Sequence, residues 1–236
     1  MKIIAAILLL SLATVSQAQF FKTLGFKTGI TRSYFTWNYK PNSTAPYVGN
    51  DKSDKAIGMV FLITGDMVDK KYWGVNLSTG WLQRTGKVEY PSYIQQGNQF
   101  PGGEIKYQTS YLTVAPAIKG KLPLGSSVNF YGQLGLRADY MLSHSQNLEY
   151  YFNYPPGYII QNVEDLKKMN YGMALSTGFE KSFRKVIFRI EYSRLINFNK
   201  LTDVKGPRLD GLGDAGFFMK INSFTGMYTL NLAFKL

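Results

Sequence analysis

The chain contains no cysteine, only one histidine, and no apolar run long enough to cross a membrane as a helix. The absence of cysteine excludes a lipid-modified N-terminal cysteine, a disulfide framework and thiol chemistry. The longest apolar run covers residues 3–12, whereas a spanning helix needs roughly 20 residues, which excludes the inner membrane as the destination. Acidic residues are few as well: 15 Asp and Glu stand against 27 Lys and Arg, and the formal net charge is +12.

The first eighteen residues have the pattern of a secretory signal peptide. Lys2 precedes the apolar run, and Ser16-Gln17-Ala18 places small residues where a signal peptidase cleaves. We therefore predict a signal peptide over residues 1–18 and one mature domain over residues 19–236. For a secreted basic chain, nucleic acid is a poor partner, and anionic lipid headgroups suit the charge better.

The C-terminal segment, Phe224–Leu236, reads FTGMYTLNLAFKL and alternates strictly. Every second residue from Tyr228 to Leu236 is apolar, whereas the opposite face is mostly small or polar. This pattern is typical of a transmembrane β-strand, which turns its apolar face to lipid and its other face to the barrel interior. Pairing this strand with the first one would remove the open edge that a bilayer does not tolerate.

Seven further segments alternate in a similar way, and the connections between the eight alternate between long and short. We predict an all-β protein, an eight-stranded antiparallel up-and-down transmembrane β-barrel with four long extracellular loops. A soluble β-sandwich also alternates but has no reason to sort its connections by length. Pro116 falls inside the fourth strand, where we expect a bulge or distortion. The seven segments are Leu24–Phe35, Ala56–Ile63, Trp73–Trp81, Tyr107–Lys119, Val128–Leu142, Met169–Phe179 and Val186–Ile196.

The segment Leu24-Gly25-Phe26-Lys27-Thr28-Gly29-Ile30 resembles the GxKxG first strand of the PorT-like outer-membrane β-barrel family. The proline in the fourth strand, the alternating glycines of the third and sixth strands and the aromatic end of the last strand follow the same order. This resemblance implies an eight-stranded barrel in the cell outer membrane of a Gram-negative bacterium. The namesake of the family is linked to protein secretion.

Alternation turns six charged residues towards the barrel interior. An eight-stranded barrel is too narrow for a water channel, and an unpaired charge in its interior is costly. We therefore interpret these residues as a structural ion-pair network, with a path for protons or solutes as the alternative. They are Lys27, Arg137, Asp139, Glu180, Arg189 and Glu191.

The chain offers weak candidates for catalysis or metal binding. His144 would need a nucleophile and an orienting acid within reach, and Glu149 is near it only in sequence, so we predict a loop histidine without a catalytic role. Asp210–Asp214 lacks the alternating oxygen ligands of a calcium loop and is read as a turn. Tyr150–Tyr158 is either a recognition surface or a cover of the barrel mouth. We predict no catalytic residue, no cofactor and no metal.

Basic residues gather at the predicted periplasmic strand ends, where they would bind phospholipid phosphates and fix the depth of the barrel; solvated turn lysines are the competing interpretation. We predict a non-enzymatic barrel that displays four loops for binding, adhesion or assembly, with a link to secretion. The expected partners are phospholipid, lipopolysaccharide and a protein bound by the loops. A lipid-modifying hydrolase and a narrow channel are the alternatives. The predicted collar contains Lys70, Lys71, Lys119, Lys121, Lys181, Arg184 and Lys185, with Lys22 and Lys235 beside it.

Overall fold

The computed structural model describes residues 20–40, 50–52, 54–90, 93–95, 98–100, 103–150, 167–199, 202–205 and 218–236. The predicted signal peptide, Asp210–Asp214 and most of Tyr150–Tyr158 lie outside these residues. Four short strands, Asn50–Lys52, Tyr93–Gln95, Asn98–Phe100 and Thr202–Lys205, belong to the long connections. Eight long strands form the body: β1 (Thr23–Lys40), β2 (Asp54–Asp69), β3 (Trp73–Tyr90), β4 (Gly103–Pro123), β5 (Val128–Tyr150), β6 (Met169–Ser182), β7 (Val186–Asn197) and β8 (Phe218–Lys235).

The eight strands form one closed antiparallel barrel. Each long strand pairs with the next along the chain, and β1 pairs with β8 from Thr23↔Lys235 to Lys40↔Phe218. This seam leaves no open edge among the eight long strands. The predicted fold class is therefore confirmed, and each predicted strand lies within one of β1 to β8 or overlaps it.

The outer surface of the barrel is apolar because alternate residues of every strand point away from the interior. Phe26 and Ile57, for example, are 65% and 68% exposed. Among the described residues, no helix is long and apolar enough to cross a membrane. Outward aromatic side chains lie towards both ends of this belt; they include Tyr72, Trp73, Phe183, Tyr140, Tyr171 and Phe224.

Pro116 does not shift the register of β4. Its neighbours Val114 and Ala117 pair with Ala138 and Gly135 of β5 in one continuous register, and the pairing is interrupted only at Ala115 and Pro116. The irregularity of register in this ladder lies instead between Ser110 and Tyr111. Pro116 faces outward and lacks an N–H group to donate, which accounts for a local gap without a bulge.

Several strands continue beyond the predicted segments at the extracellular end, and β3 and β5 are extended furthest. β3 runs on to Tyr90, β4 begins at Gly103, and the two pair along their whole length up to Tyr90↔Gly103. β5 follows β4 up to Tyr150↔Gly103. The residues from Arg84 onward, which looked like loop in the sequence, therefore extend the barrel wall.

Candidate functional site

Four charged side chains form a closed network in the periplasmic half of the barrel interior. Asp66 accepts bonds from Lys119 Nζ at 3.1 Å and from Arg189 Nη2. Glu180 accepts from Lys119 Nζ at 3.4 Å and from Arg189 Nε at 3.1 Å. Each acid thus contacts both bases, and the four residues, which we call the lower network, carry no net charge. All four are buried, so this balance is what makes their burial tolerable.

The lower network is extended towards the periplasmic end by polar neighbours. Lys121 donates to Asp69 and to Glu180 Oε1 at 3.0 Å. The Thr23 hydroxyl donates to Asp66 at 2.6 Å, and Asn129 donates to Glu180 at 3.0 Å. These bonds use further lone pairs of both carboxylates, so the network fills the lower end of the lumen.

A separate ion pair joins Lys27 of β1 to Glu191 of β7. Glu191 also accepts hydrogen bonds from the Tyr131 hydroxyl at 3.0 Å and from the Ser193 hydroxyl at 2.7 Å. The ring of Tyr131 packs under the ammonium group of Lys119, which lies 5.6 Å from the ring centroid. Tyr131 therefore connects this pair to the lower network.

A third group of charges lies in the extracellular half of the interior and is not balanced. Arg84 and Arg137 both donate to Asp139 Oδ2, and the Thr113 hydroxyl donates to its Oδ1 at 2.6 Å. These three charged side chains, the upper triad, are all buried. Two bases against one acid leave a net charge of +1 among these described residues.

Apolar side chains surround the upper triad and close the lumen. The guanidinium group of Arg84 lies 4.6 Å from the ring centroid of Tyr111, and Tyr111 and Leu82 are each only 1% exposed. The rest of this apolar cluster is Phe35, Val60, Leu62, Tyr107, Leu195 and Met227. Four members of this cluster, Leu62, Leu82, Leu195 and Met227, also line a space beside Thr113 and Arg137 of the triad.

A small chamber lies between the lower network and the upper triad. Its volume is about 40 Å³, and its lining includes Lys27, Arg137, Gln133 and Ser176. A space of this size holds about three water molecules. The two charged side chains in its wall, Lys27 and Arg137, are both cations. The acids that pair with them, Glu191 and Asp139, are not part of the lining.

The structure places all six predicted interior residues inside the barrel and shows which acid meets which base. It also adds three buried charges that the sequence interpretation did not include: Asp66, Arg84 and Lys119. Asp66 lies beyond the predicted segment Ala56–Ile63, although it follows Leu62 and Thr64 at the two-residue spacing of the inward face. Arg84 follows Ser78 and Leu82 in the same way, and that spacing was the signal that could have found both.

The predicted collar divides into two groups. Lys119 is fully buried in the lower network, and the side chain of Lys121 is only 5% exposed. Their assignment to a lipid-facing collar is corrected, because both lie on the inward face of β4. Lys70, Lys71, Lys181, Arg184 and Lys185 are exposed at the short turns.

His144, which was predicted to be a loop residue, lies instead within the extracellular part of β5, where it pairs with Thr109 of β4. Its Nδ1 lies 3.0 Å from the Thr109 hydroxyl, and its ring stacks on that of Tyr107 with 6.4 Å between centroids. Burial lowers the pKa of His144 below its usual range. Among the described residues, no group of three or more His, Asp or Glu side chains could hold a metal ion.

A closed antiparallel barrel with an apolar outer belt, a filled polar interior and short turns at one end defines a class: the transmembrane barrels of outer membranes. The outer membrane is accordingly the location of this protein.

Comparison with known proteins assigns no family to the chain. No family model and no curated protein matches the chain. Among solved structures, it is similar to OprG from Pseudomonas aeruginosa, with 15% identity, a TM-score of 0.48 and coverage of 92% of this chain and 99% of that chain. The protease OmpT from Escherichia coli is 9% identical, with a TM-score of 0.43 and coverage of 91% of this chain and 96% of that chain. Neisserial surface protein A is 10% identical, with a TM-score of 0.39 and coverage of 89% of this chain and 97% of that chain.

Proposed function

We propose that this protein is a non-enzymatic outer-membrane barrel that presents its extracellular segments for binding, adhesion or assembly. The observation that carries the proposal is the filled interior, in which charged side chains bond to one another. A barrel closed in this way has its outer surface and its two rims available for function, and the extracellular rim is the more extensive.

The unequal strand lengths support the emphasis on that rim. β4 and β5 contain 21 and 23 residues, whereas β7 contains 12. A tilted strand crosses the bilayer in about 9–11 residues. β3, β4 and β5 therefore continue above the membrane as a paired wall that leads into the connections 91–102 and 151–168. β1 and β8 continue there as well, paired up to Lys40↔Phe218. Such a wall holds a binding segment away from the lipid surface.

The exposed part of the collar supports a lipid contact at the opposite end. Lys71 lies 5.1 Å from the ring centroid of Tyr72, and Lys181 lies 5.4 Å from that of Phe183. Aromatic and basic side chains together suit the boundary between acyl chains and phosphates. Because β1 resembles the first strand of the PorT-like family, the proposal includes membership of that family. It also includes the link to secretion and the protein partner that membership implies.

Surface crosslinking on intact cells tests the proposal. Each predicted extracellular segment would be replaced in turn by a Gly-Ser linker of equal length. We expect a crosslinked complex with the wild-type barrel that is lost in at least one replacement, while heat-modifiable migration shows that the barrel still folds. Turn replacement at residues 183–185 is the matched control and should keep the complex. A complex that survives all four loop replacements would contradict the proposal.

A narrow channel is the second candidate, because the chamber between the upper triad and the lower network has room for water. Conduction would require both charged groups to open, since each closes the lumen with bonded side chains.

A further inference from the structure

Two arginines face lipid rather than the interior, and they flank a glycine. Arg32 of β1 and Arg194 of β7 both pair in register with Gly226 of β8. The three residues therefore form one row across adjacent strands, and both arginine side chains are exposed on the outer face. Neighbouring strands lie about 4.8 Å apart, so the two arginine Cα atoms are roughly 10 Å apart.

Neither arginine has a partner within the described part of the chain. Among the described residues, no hydrogen bond, ion pair or ring contact involves either guanidinium group. An outward charge at the bilayer midplane costs about 2–4 kcal/mol, and much less near the interface. Two free cations at this position therefore need either the interface or an anionic lipid.

Their height places them at the extracellular interface. Arg32 is eight residues above Leu24 on β1, and Arg194 is eight residues above Val186 on β7. With the strand rise and barrel tilt, eight residues cover roughly 20 Å of an apolar band about 25 Å tall. Since the short turns mark the periplasmic end, the arginines lie at the headgroup level of the outer leaflet.

Gly226 makes a recess between the two arginines. A Cβ atom added there would lie 3.4 Å from both Cε2 and the hydroxyl oxygen of Tyr192 and 3.8 Å from its Cζ, so the end of this ring lies over the glycine. Below the recess, the rings of Tyr192 and Tyr228 are 5.0 Å apart. Above it, Tyr34 stacks on Phe224 at 4.9 Å with an interplanar angle of 15°. The recess thus has the end of the Tyr192 ring as its floor, aromatic rings above and below it and a cation on each side.

We propose that Arg32 and Arg194 bind one phosphate group of a lipid A-type glycolipid in the outer leaflet, with the sugar over Gly226. Guanidinium groups bind phosphate oxygens in a planar, bidentate manner. Two of them on either side of one recess match the double charge of a phosphomonoester, whereas a phospholipid offers a singly charged diester. The inference rests on the outer-membrane location and is independent of the role proposed for the loops.

Titration of the refolded barrel in detergent, followed by native mass spectrometry, tests the site. The probes are bis-phosphorylated lipid A, the same lipid without phosphates, and phosphatidylglycerol. We expect the phosphorylated form to bind at least tenfold more tightly than either of the others. The double variant Arg32→Gln/Arg194→Gln should lose this preference. Lys167→Gln/Lys168→Gln removes the same charge from exposed lysines just before β6, outside both the arginine row and the periplasmic collar, and should keep it.

Gly226→Val provides a variant that retains both arginines. Its larger side chain would displace the end of the Tyr192 ring from the floor of the recess, so we expect at least a tenfold loss of lipid A affinity while heat-modifiable migration shows intact folding. Equal binding of all three lipids, or equal loss in the arginine and lysine double variants, would overturn the proposal. If the crosslinking experiment contradicted the role of the extracellular segments, the preference of the barrel for phosphorylated lipid A would still be expected. The two experiments therefore test the two proposals independently.

Discussion

Asp139 of the upper triad bonds to both Arg84 and Arg137, so loss of the acid and loss of one base have different consequences for stability. Removal of Asp139 leaves Arg84 and Arg137 side by side in a buried site, whereas removal of Arg84 leaves a neutral pair of Arg137 and Asp139. A count of buried charges that treats every residue as equivalent would predict the same loss of stability for removal of Asp139 and for removal of Arg84. The stabilities of the two variants should differ.

We expect Asp139→Asn to lower the free energy of unfolding by about 3–5 kcal/mol, the usual cost of one unpaired buried charge. Arg84→Met should cost less than about 2 kcal/mol, because it removes hydrogen bonds and packing but leaves the remaining charges paired. The measurement is urea unfolding of the refolded barrel in lipid vesicles. If Arg84→Met were the more harmful of the two, the excess charge would have a partner that the triad does not include.

At the scale of single strands, Gly80 of β3 is held in a conformation that other residues rarely adopt. Its φ angle is +152°, and a Cβ atom there would collide with the carbonyl oxygen of Phe61 on β2. Gly120 on the neighbouring β4 is the contrast, since nothing lies within 4 Å of its Cβ position. The two glycines therefore separate backbone strain from the general effect of adding a methyl group to a strand.

Gly80→Ala should lower stability by about 1–3 kcal/mol, from the strained backbone and the displaced β2 carbonyl. Gly120→Ala should change it by less than about 0.5 kcal/mol, as is usual for a surface substitution. Midpoints of urea unfolding give both values. Equal midpoints for the two variants would mean that β2 and β3 adjust freely around residue 80.

The strands themselves could be predicted from the sequence, because lipid requires an apolar side chain at every second position. That requirement ends above the membrane, where Gln83 and Thr85 face outward, so Arg84 between them looked like loop. The pairing of charges could not be predicted. Asp66 of β2 meets Arg189 of β7 across the lumen, and these strands are not neighbours. Such contacts depend on the registers of all eight strands and on barrel tilt, which alternation alone does not determine.

At the scale of the whole molecule, the two charged groups and the chamber between them predict a barrel that does not conduct. We expect planar bilayers containing the refolded protein to show no current above that of bare lipid, because the bonded lower network and the apolar cluster around the upper triad fill the described interior. Arg137→Glu, which places two acids side by side, is the variant to compare. Discrete current steps in the wild type that this variant alters would instead favour the channel.

The seam between β1 and β8 has a consequence for the order of events during assembly. It pairs Thr23 with Lys235, so the contacts that close the barrel are also the most distant along the chain. Contacts of this kind form slowly, because the entropy of joining remote segments is lost before any of them stabilises the chain. Until β8 arrives, the other seven strands have two unpaired edges that are able to join another copy. The yield of this protein in a cell should therefore depend on the time between export and delivery of its final strand, and far less on how stable the finished barrel is.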